Sequence, residues 1–288
     1  KRIAMVAEEY GIEAYFVCGW TRKHRKRTTA HEIIATGFFS KAIHLGFAKL
    51  TGYDGMFSNG CTKKLLRKID NIKPDIIHLR IMHDYFINLE LLLKYATLNN
   101  IQLVWTFHDC WAFTGGCTYT RGCCKWKNGC QTCSENTNKY LSSLSNVRLL
   151  MWQKKAKLSG MVNNLVVTAP SKWLADMVKD SFYADKKIEV IRNGLDLTVF
   201  KPYMSNFRKE WQLEDKYIVL GVAFAWDYRK GLDVFVELFK LLPEKFKIVL
   251  VGTDTKIDKL LPTGIISIHK TNSQAELASI YSCADVFV

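Results

Sequence analysis

Short apolar runs, many of them β-branched, recur along the chain at 14–18, 75–79, 101–107, 165–168 and 187–191, each set apart from the next by a longer segment. Of those longer segments, 85–98 and 147–161 show helical spacing of apolar positions most clearly, 1–10 reads as a helix, and Ser171 is placed to cap a helix over 172–181. The rhythm resumes with strands at 217–224, 247–251, 265–269 and 285–288 and helices at 232–242 and 273–281. Strands alternating with helices predict parallel βαβ units. Between the two series lie Asn193-Gly194-Leu195-Asp196 and Phe200-Lys201-Pro202, a cluster of turn and breaker residues suited to a linker. The pattern therefore predicts an α/β chain of two Rossmann-like, doubly wound halves joined near 195–205, with domains of 1–200 and 201–288.

Composition narrows this picture. With 48% hydrophobic residues in 288, the chain can bury a core in each half, which excludes disorder. Its 41 Lys and Arg against 27 Asp and Glu give +14, which points to an anionic partner: a nucleotide or sugar phosphate, an anionic membrane face, or nucleic acid. No apolar run reaches the roughly 18 residues of a membrane span, and no signal peptide opens the chain, so a cytoplasmic location with reduced thiols is expected. The sequence starts at Lys1 inside a helical segment and stops at Val288 inside an apolar run, so it reads as a piece of a longer protein.

Candidate chemistry gathers behind the run at 101–107. His108 follows it directly, and the carboxyl end of a strand in an α/β sheet is where sites assemble. Six of the nine cysteines then fall between Cys110 and Cys133. Cys117, Cys123, Cys130 and Cys133 offer four thiolates, the ligand set of a structural zinc; reduced free thiols and an iron–sulfur or redox role are the alternatives. Cys110 stays outside that set. In the second half Arg229, Lys230 and Gly231 lie between a strand and a helix, so two cations and a helix N-terminus can converge on a phosphate. The run Arg22-Lys23-His24-Arg25-Lys26-Arg27 is a solvated loop or a contact for anionic lipid.

Taken together and in order, these motifs resemble the retaining GT-B glycosyltransferases of family 4, especially those of bacterial surface-polysaccharide clusters. Asp75-Ile76-Ile77-His78-Leu79, His83 and Tyr85-Phe86-Ile87-Asn88 resemble the acceptor-domain strand and loop. Thr106-Phe107-His108-Asp109-Cys110-Trp111 with Phe113-Thr114-Gly115-Gly116-Cys117 is similar to the next strand and its loop, and Ala169-Pro170-Ser171-Lys172-Trp173-Leu174 to the helix opening before the linker. Val190-Ile191-Arg192-Asn193-Gly194-Leu195-Asp196 resembles the interdomain signature and Arg229-Lys230-Gly231 the donor-phosphate site.

The resemblance implies a GT-B fold whose two domains face a cleft, and transfer of a sugar from a nucleotide-sugar donor to a glycan or lipid-linked acceptor with retention. It implies that Arg229 and Lys230 neutralise the leaving diphosphate without a catalytic metal, that Asn193 and Gly194 belong to the donor side, and that His108 contacts the transferred sugar or the reacting centre. The chain departs from the family at Arg80 and Met82, where a second His and an Asn are common, at Asp84, where Gly is usual, and at Phe224-Ala225-Trp226, where an arginine is common. The family's first strand with its glycine-rich loop and its paired-glutamate segment are absent, so the chain itself is expected to have little or no activity. A peripheral position on the inner face of the plasma membrane fits a lipid-linked acceptor. Two other readings stand beside this one: a non-catalytic GT-B relative, and a zinc-stabilised nucleic-acid-binding protein.

Overall fold

The computed structural model describes residues 2–20, 31–131 and 147–288. The chain divides into two compact units, Lys1–Asn193 and Gly194–Val288. The first runs α1 (Arg2–Glu9), β1 (Tyr15–Gly19), β2 (His31–Thr36), α2 (Phe38–Thr51), α3 (Asn59–Ile72), β3 (Ile76–Leu79), α4 (Leu89–Leu98), β4 (Gln102–Thr106), α5 (Arg148–Met161), β5 (Leu165–Ala169), α6 (Lys172–Lys179) and β6 (Lys187–Val190). The second runs α7 (Phe207–Glu210), β7 (Tyr217–Val222), α8 (Leu232–Leu241), β8 (Phe246–Val251), α9 (Thr255–Asp258), β9 (Ile266–Ile268), α10 (Gln274–Cys283) and β10 (Val286–Phe287).

All strand pairs are parallel, as alternating strands and helices require. In the first unit β3-β4-β5-β6 form one sheet in chain order, and β1 pairs with β2 apart from it. In the second the order is β10-β7-β8-β9, so the chain lays three strands one way and returns to the far side of β7. The reversal that defines a doubly wound sheet is therefore seen, among the described residues, in the second unit; the four-stranded sheet of the first runs straight from edge to edge.

Burial follows from the strand sequences. Leu103, Trp105 and Phe107 of the β4 segment and Val167 and Ala169 of β5 lie in the core. There Phe107 packs edge-on against Trp105 at 5.1 Å and Tyr183 at 5.2 Å. In the second unit β7 and β8 bury both faces: Ile218, Leu220, Val249 and Val251 meet Phe207, Leu213 and Ile280, while Val219, Ile248 and Leu250 meet Trp226, Leu232 and Phe235. Continuous apolar runs are what such two-sided burial demands.

Capping explains where the elements differ from expectation. The helix predicted from 85 starts at Leu89 because Asn88 accepts from the Leu91 N–H, and its amide donates to Met56 O and Asn59 Oδ1, both at 2.6 Å. Tyr85, with φ of 54°, lies in the left-handed region outside any helix. The strand predicted to 224 ends at Val222, where backbones converge: a Cβ on Gly252, itself at φ of 87°, would stand 1.7 Å from Ala223 O.

Two outcomes follow. Gly252→Ala should destabilise the second unit by about 3 kcal/mol or abolish its folding, because both the φ and a backbone oxygen oppose a Cβ; urea unfolding of the variant checks this. His44 is buried, held by Ser58 Oγ at 2.7 Å on Nδ1 and lacking a partner on Nε2 among the described residues, and burial lowers its pKa to about 4. The unfolded imidazole takes up its proton near pH 6.5, so stability is complete above that and is lost as pH falls toward about 4. Equilibrium unfolding across this window should show His44→Gln removing up to about 3 kcal/mol of that loss.

Candidate functional site

The carboxyl ends of β3 and β4 build the first cluster. Alternate residues of a strand share a face, so His78 and Arg80 project together on β3 and its continuation, and Thr106 and His108 on β4 and its continuation. His78 Nε2 lies 2.7 Å from Thr106 Oγ1, which lies 2.7 Å from Thr168 Oγ1 on β5. Arg80 places both Nε and Nη2 on Nε2 of His108, at 3.1 and 2.7 Å. An arginine only donates, so this ring nitrogen accepts, and His108 is the neutral tautomer protonated on Nδ1. Burial and then the Arg80 charge lower its pKa, with Asp109 opposing; the same burial, with Arg80 and His108, lowers that of His78.

Behind this edge sits a second, buried layer. His83 Nε2 pairs with Asp109 Oδ2 at 2.9 Å, and Asp109 Oδ1 accepts the Trp111 N–H at 2.9 Å. Burial acts to lower the pKa of His83, but the hydrogen bond and charge of Asp109, with the charge of Asp54, prevail and raise it. Lys155 on α5 is 1% exposed. Its ammonium donates to the carbonyls of Trp111 at 2.6 Å and Thr114 at 3.1 Å and lies 3.7 Å from the Trp111 ring centroid. Burial drives its pKa down and that of the buried Asp54 up, each restrained by the other's charge. Arg80, His83, His108, Asp109 and Trp111 line one small hollow.

The cysteine-rich loop is shaped by packing that the described residues supply. Trp126 packs on Phe113 at 5.1 Å, Trp152 donates to Trp126 O at 2.6 Å, and the Gly115 N–H points at Cys130 Sγ at 3.1 Å. Gly115 permits the loop to touch α5, since a Cβ there would stand 2.5 Å from Arg148 O. Cys110 is buried, and burial, then the Asp109 charge, push its thiol up to about 12, an inert group. Cys117, Cys123 and Cys130 gather with no other ligand side chains into a set of three or more among the described residues, and Cys133 lies outside them. The four-thiolate set that a structural zinc needs includes Cys133, so it falls partly outside the described residues. The basic run Arg22 to Arg27 also lies outside the described residues.

In the second unit the predicted phosphate residues divide. Asp227 caps the turn Tyr228–Lys230 through the Arg229 N–H, and the Arg229 guanidinium folds back on Asp227 Oδ2 at 2.6 and 3.0 Å. Lys230, exposed ahead of α8, has no ion-pair partner among the described residues. Asn193 and Gly194 are exposed, and neither takes the left-handed angles expected of a turn. Sequence reasoning missed Asp54 and Lys155. The signal for Lys155 was its place on one helical stripe with Met151 and Leu158, both buried.

A model of Glycosyltransferase Family 4 matches residues 9–199. Among curated proteins the chain is similar to WcaC of Escherichia coli strain K12, whose description names colanic acid biosynthesis and glycosyl transfer, with 28% identity over 203 residues, 66% of this chain and 49% of that protein. The chain thus spans about half the length of that relative. Among solved structures it is similar to sucrose-phosphate synthase from Thermosynechococcus elongatus, with TM-score 0.51 and 17% identity over 79% of this chain and 54% of that one. It is also similar to HepE of Anabaena, solved with UDP and glucose, with TM-score 0.58 and 13% identity over 99% of this chain and 68% of that one. At such identities the likeness is one of fold, that of the GT-B glycosyltransferases. These similarities do not favour the nucleic-acid-binding reading or the non-catalytic one.

Lys155→Met should cost about 3–5 kcal/mol, because it strands two carbonyls in the core and removes one of the positive charges acting on Asp54. Combined with Asp54→Asn the loss should be smaller than the two single losses added, as a double-mutant unfolding cycle will read.

Proposed function

The chain belongs to Glycosyltransferase Family 4, and on that premise we propose that the full-length protein transfers a hexosyl group, with retention, from a nucleotide sugar to a glycan or lipid-linked acceptor in surface-polysaccharide synthesis. The observation that carries this reading is His108 at the carboxyl end of β4, inside the matched region and aligned with Arg80 and His78 on one face. The first unit presents the acceptor crevice and the second takes the donor. Support for a nucleotide-sugar donor comes from the HepE structures, which hold UDP or UDP with glucose. Support for a polysaccharide product comes from the description of WcaC.

The roles follow from the charges. Lys230, unmatched by a carboxylate among the described residues and placed ahead of α8, stabilises the diphosphate that leaves, and the N–H groups opening α8 add to it. Arg229 reaches the phosphate only by leaving Asp227, so Lys230 carries the larger share. His108, neutral and donating through Nδ1, hydrogen-bonds the sugar rather than supplying a cation. Asn193 and Gly194 serve the donor side. No catalytic metal is required, since the lysine and the helix N-terminus supply the positive potential. The +14 charge supports a place on the anionic inner face of the plasma membrane, and no described helix is long and apolar enough to cross it.

Incubating the full-length protein with a panel of nucleotide sugars should release the nucleoside diphosphate. Lys230→Ala should lower kcat/KM by about 100-fold or more, with a smaller loss for His108→Ala. Turnover of no nucleotide sugar would remove the reading, and an inverted anomer in the product spectrum would remove retention.

A further inference from the structure

We propose that Arg80 reads a negative charge on the acceptor, a phosphate or a carboxylate, at the crevice formed by the ends of β3 and β4. The inference rests on the glycosyl-transfer reading for the word acceptor, but the anion site itself stands on geometry. Arg80 is exposed, directly follows β3, and lines the same hollow as His108.

The surrounding charges are already matched, and Arg80 is not. Asp109 is taken by His83 at 2.9 Å and by the Trp111 N–H, and Asp84 is taken by Lys41 at 2.8 Å. No carboxylate pairs with Arg80 among the described residues. Among the described residues its two guanidinium hydrogen bonds both end on Nε2 of His108, a neutral acceptor that leaves the guanidinium charge uncompensated. Such a pairing orients the group without satisfying it, for Arg80 keeps Nη1 and one Nη2 hydrogen, the edge that matches two oxygens of a phosphate or carboxylate.

The neighbours also favour an anion. His108 exposes a donor through Nδ1, and His78 stands two residues before Arg80 on the same face. The depressed pKa of both rings, to which Arg80 contributes, would be relieved by a negative charge beside them, so an anion gains the guanidinium and lightens the cost of protonating the imidazoles. A neutral sugar would gain neither. Two acceptor chemistries present this group: the phosphate of a lipid-linked sugar and the carboxylate of a uronic acid residue.

Imidazole NMR of the full-length protein separates these outcomes, with inorganic pyrophosphate, methyl glucuronide and the uncharged methyl glucoside as probes at constant ionic strength. The ring signals of His108 and His78 should shift saturably with pyrophosphate or with the glucuronide and not with the glucoside. A response to pyrophosphate alone supports a phosphate-bearing acceptor, one to the glucuronide alone supports a uronate, and one to both supports a site that reads charge. Arg80→Met should weaken the responding anion at least about tenfold, and Arg80→Lys, which keeps the charge without the fork, should weaken it less. Rings that ignore both anions at millimolar concentration, an equal response to the glucoside, or unchanged affinity in a folded Arg80→Met would overturn the proposal. Because the wild-type titration needs no turnover, a protein that binds the anion yet transfers no sugar would sink the functional reading and leave the anion site standing.

Discussion

A buried ammonium organises the first unit. Lys155 reaches from α5 into the core and ends on the carbonyls of Trp111 and Thr114, with the Trp111 ring beneath it and the Asp54 charge acting on it. Removing a lysine from water costs several kcal/mol, and one carbonyl would not offset that. Two carbonyls, a ring and a carboxyl together do, and they come from three stretches of chain: the α2–α3 connection, the loop after β4, and α5. The charge is stable only when all three are in place, so it fixes their mutual position more tightly than an apolar side chain of that size could. Trp111 is also the residue whose N–H holds Asp109, so the lysine indirectly sets the carboxylate that orients His83.

The same arrangement bears on the cysteine-rich loop. Within the described residues, tryptophans, a glycine contact and a lysine hold it against α5. The buried Cys110 behaves as a small apolar side chain, its thiol pushed up to about 12.

The α/β class, the parallel strands and the position of His108 could all be read from the chain, because each rests on local periodicity: apolar runs, alternation, and a residue placed just after a strand. Asn88 was legible as part of a motif but not as a cap, since capping depends on where neighbouring turns place their carbonyls. Five elements escaped altogether: β2, whose HEIIAT is half exposed and short, α2 and α3, whose boundaries rest on Gly52 and Lys73 in left-handed conformations, and the four-residue helices α7 and α9. Asp54 and Lys155 escaped for a different reason. A buried charge is tolerable only through partners distant in sequence; the helical stripe of Met151, Lys155 and Leu158 marks the position of Lys155 but not those partners, and nothing local marks Asp54. Arg229 carries a constraint that its motif did not show, for Asp227, two residues earlier, holds its guanidinium.

The pairing of Arg80 with His108 bears on how the crevice responds to pH. Were positive charge there carried by an imidazolium, it would fade near neutrality. Arginine keeps its proton throughout, and by donating to Nε2 it holds His108 neutral, which turns a titratable residue into a fixed donor on Nδ1. The Arg80 contribution to the potential at the ends of β3 and β4 is then constant over the range in which a phosphate is fully ionised, while the His78 and His108 rings supply direction. A site built this way separates the two tasks that a lone histidine must combine: the cation selects, and the ring positions.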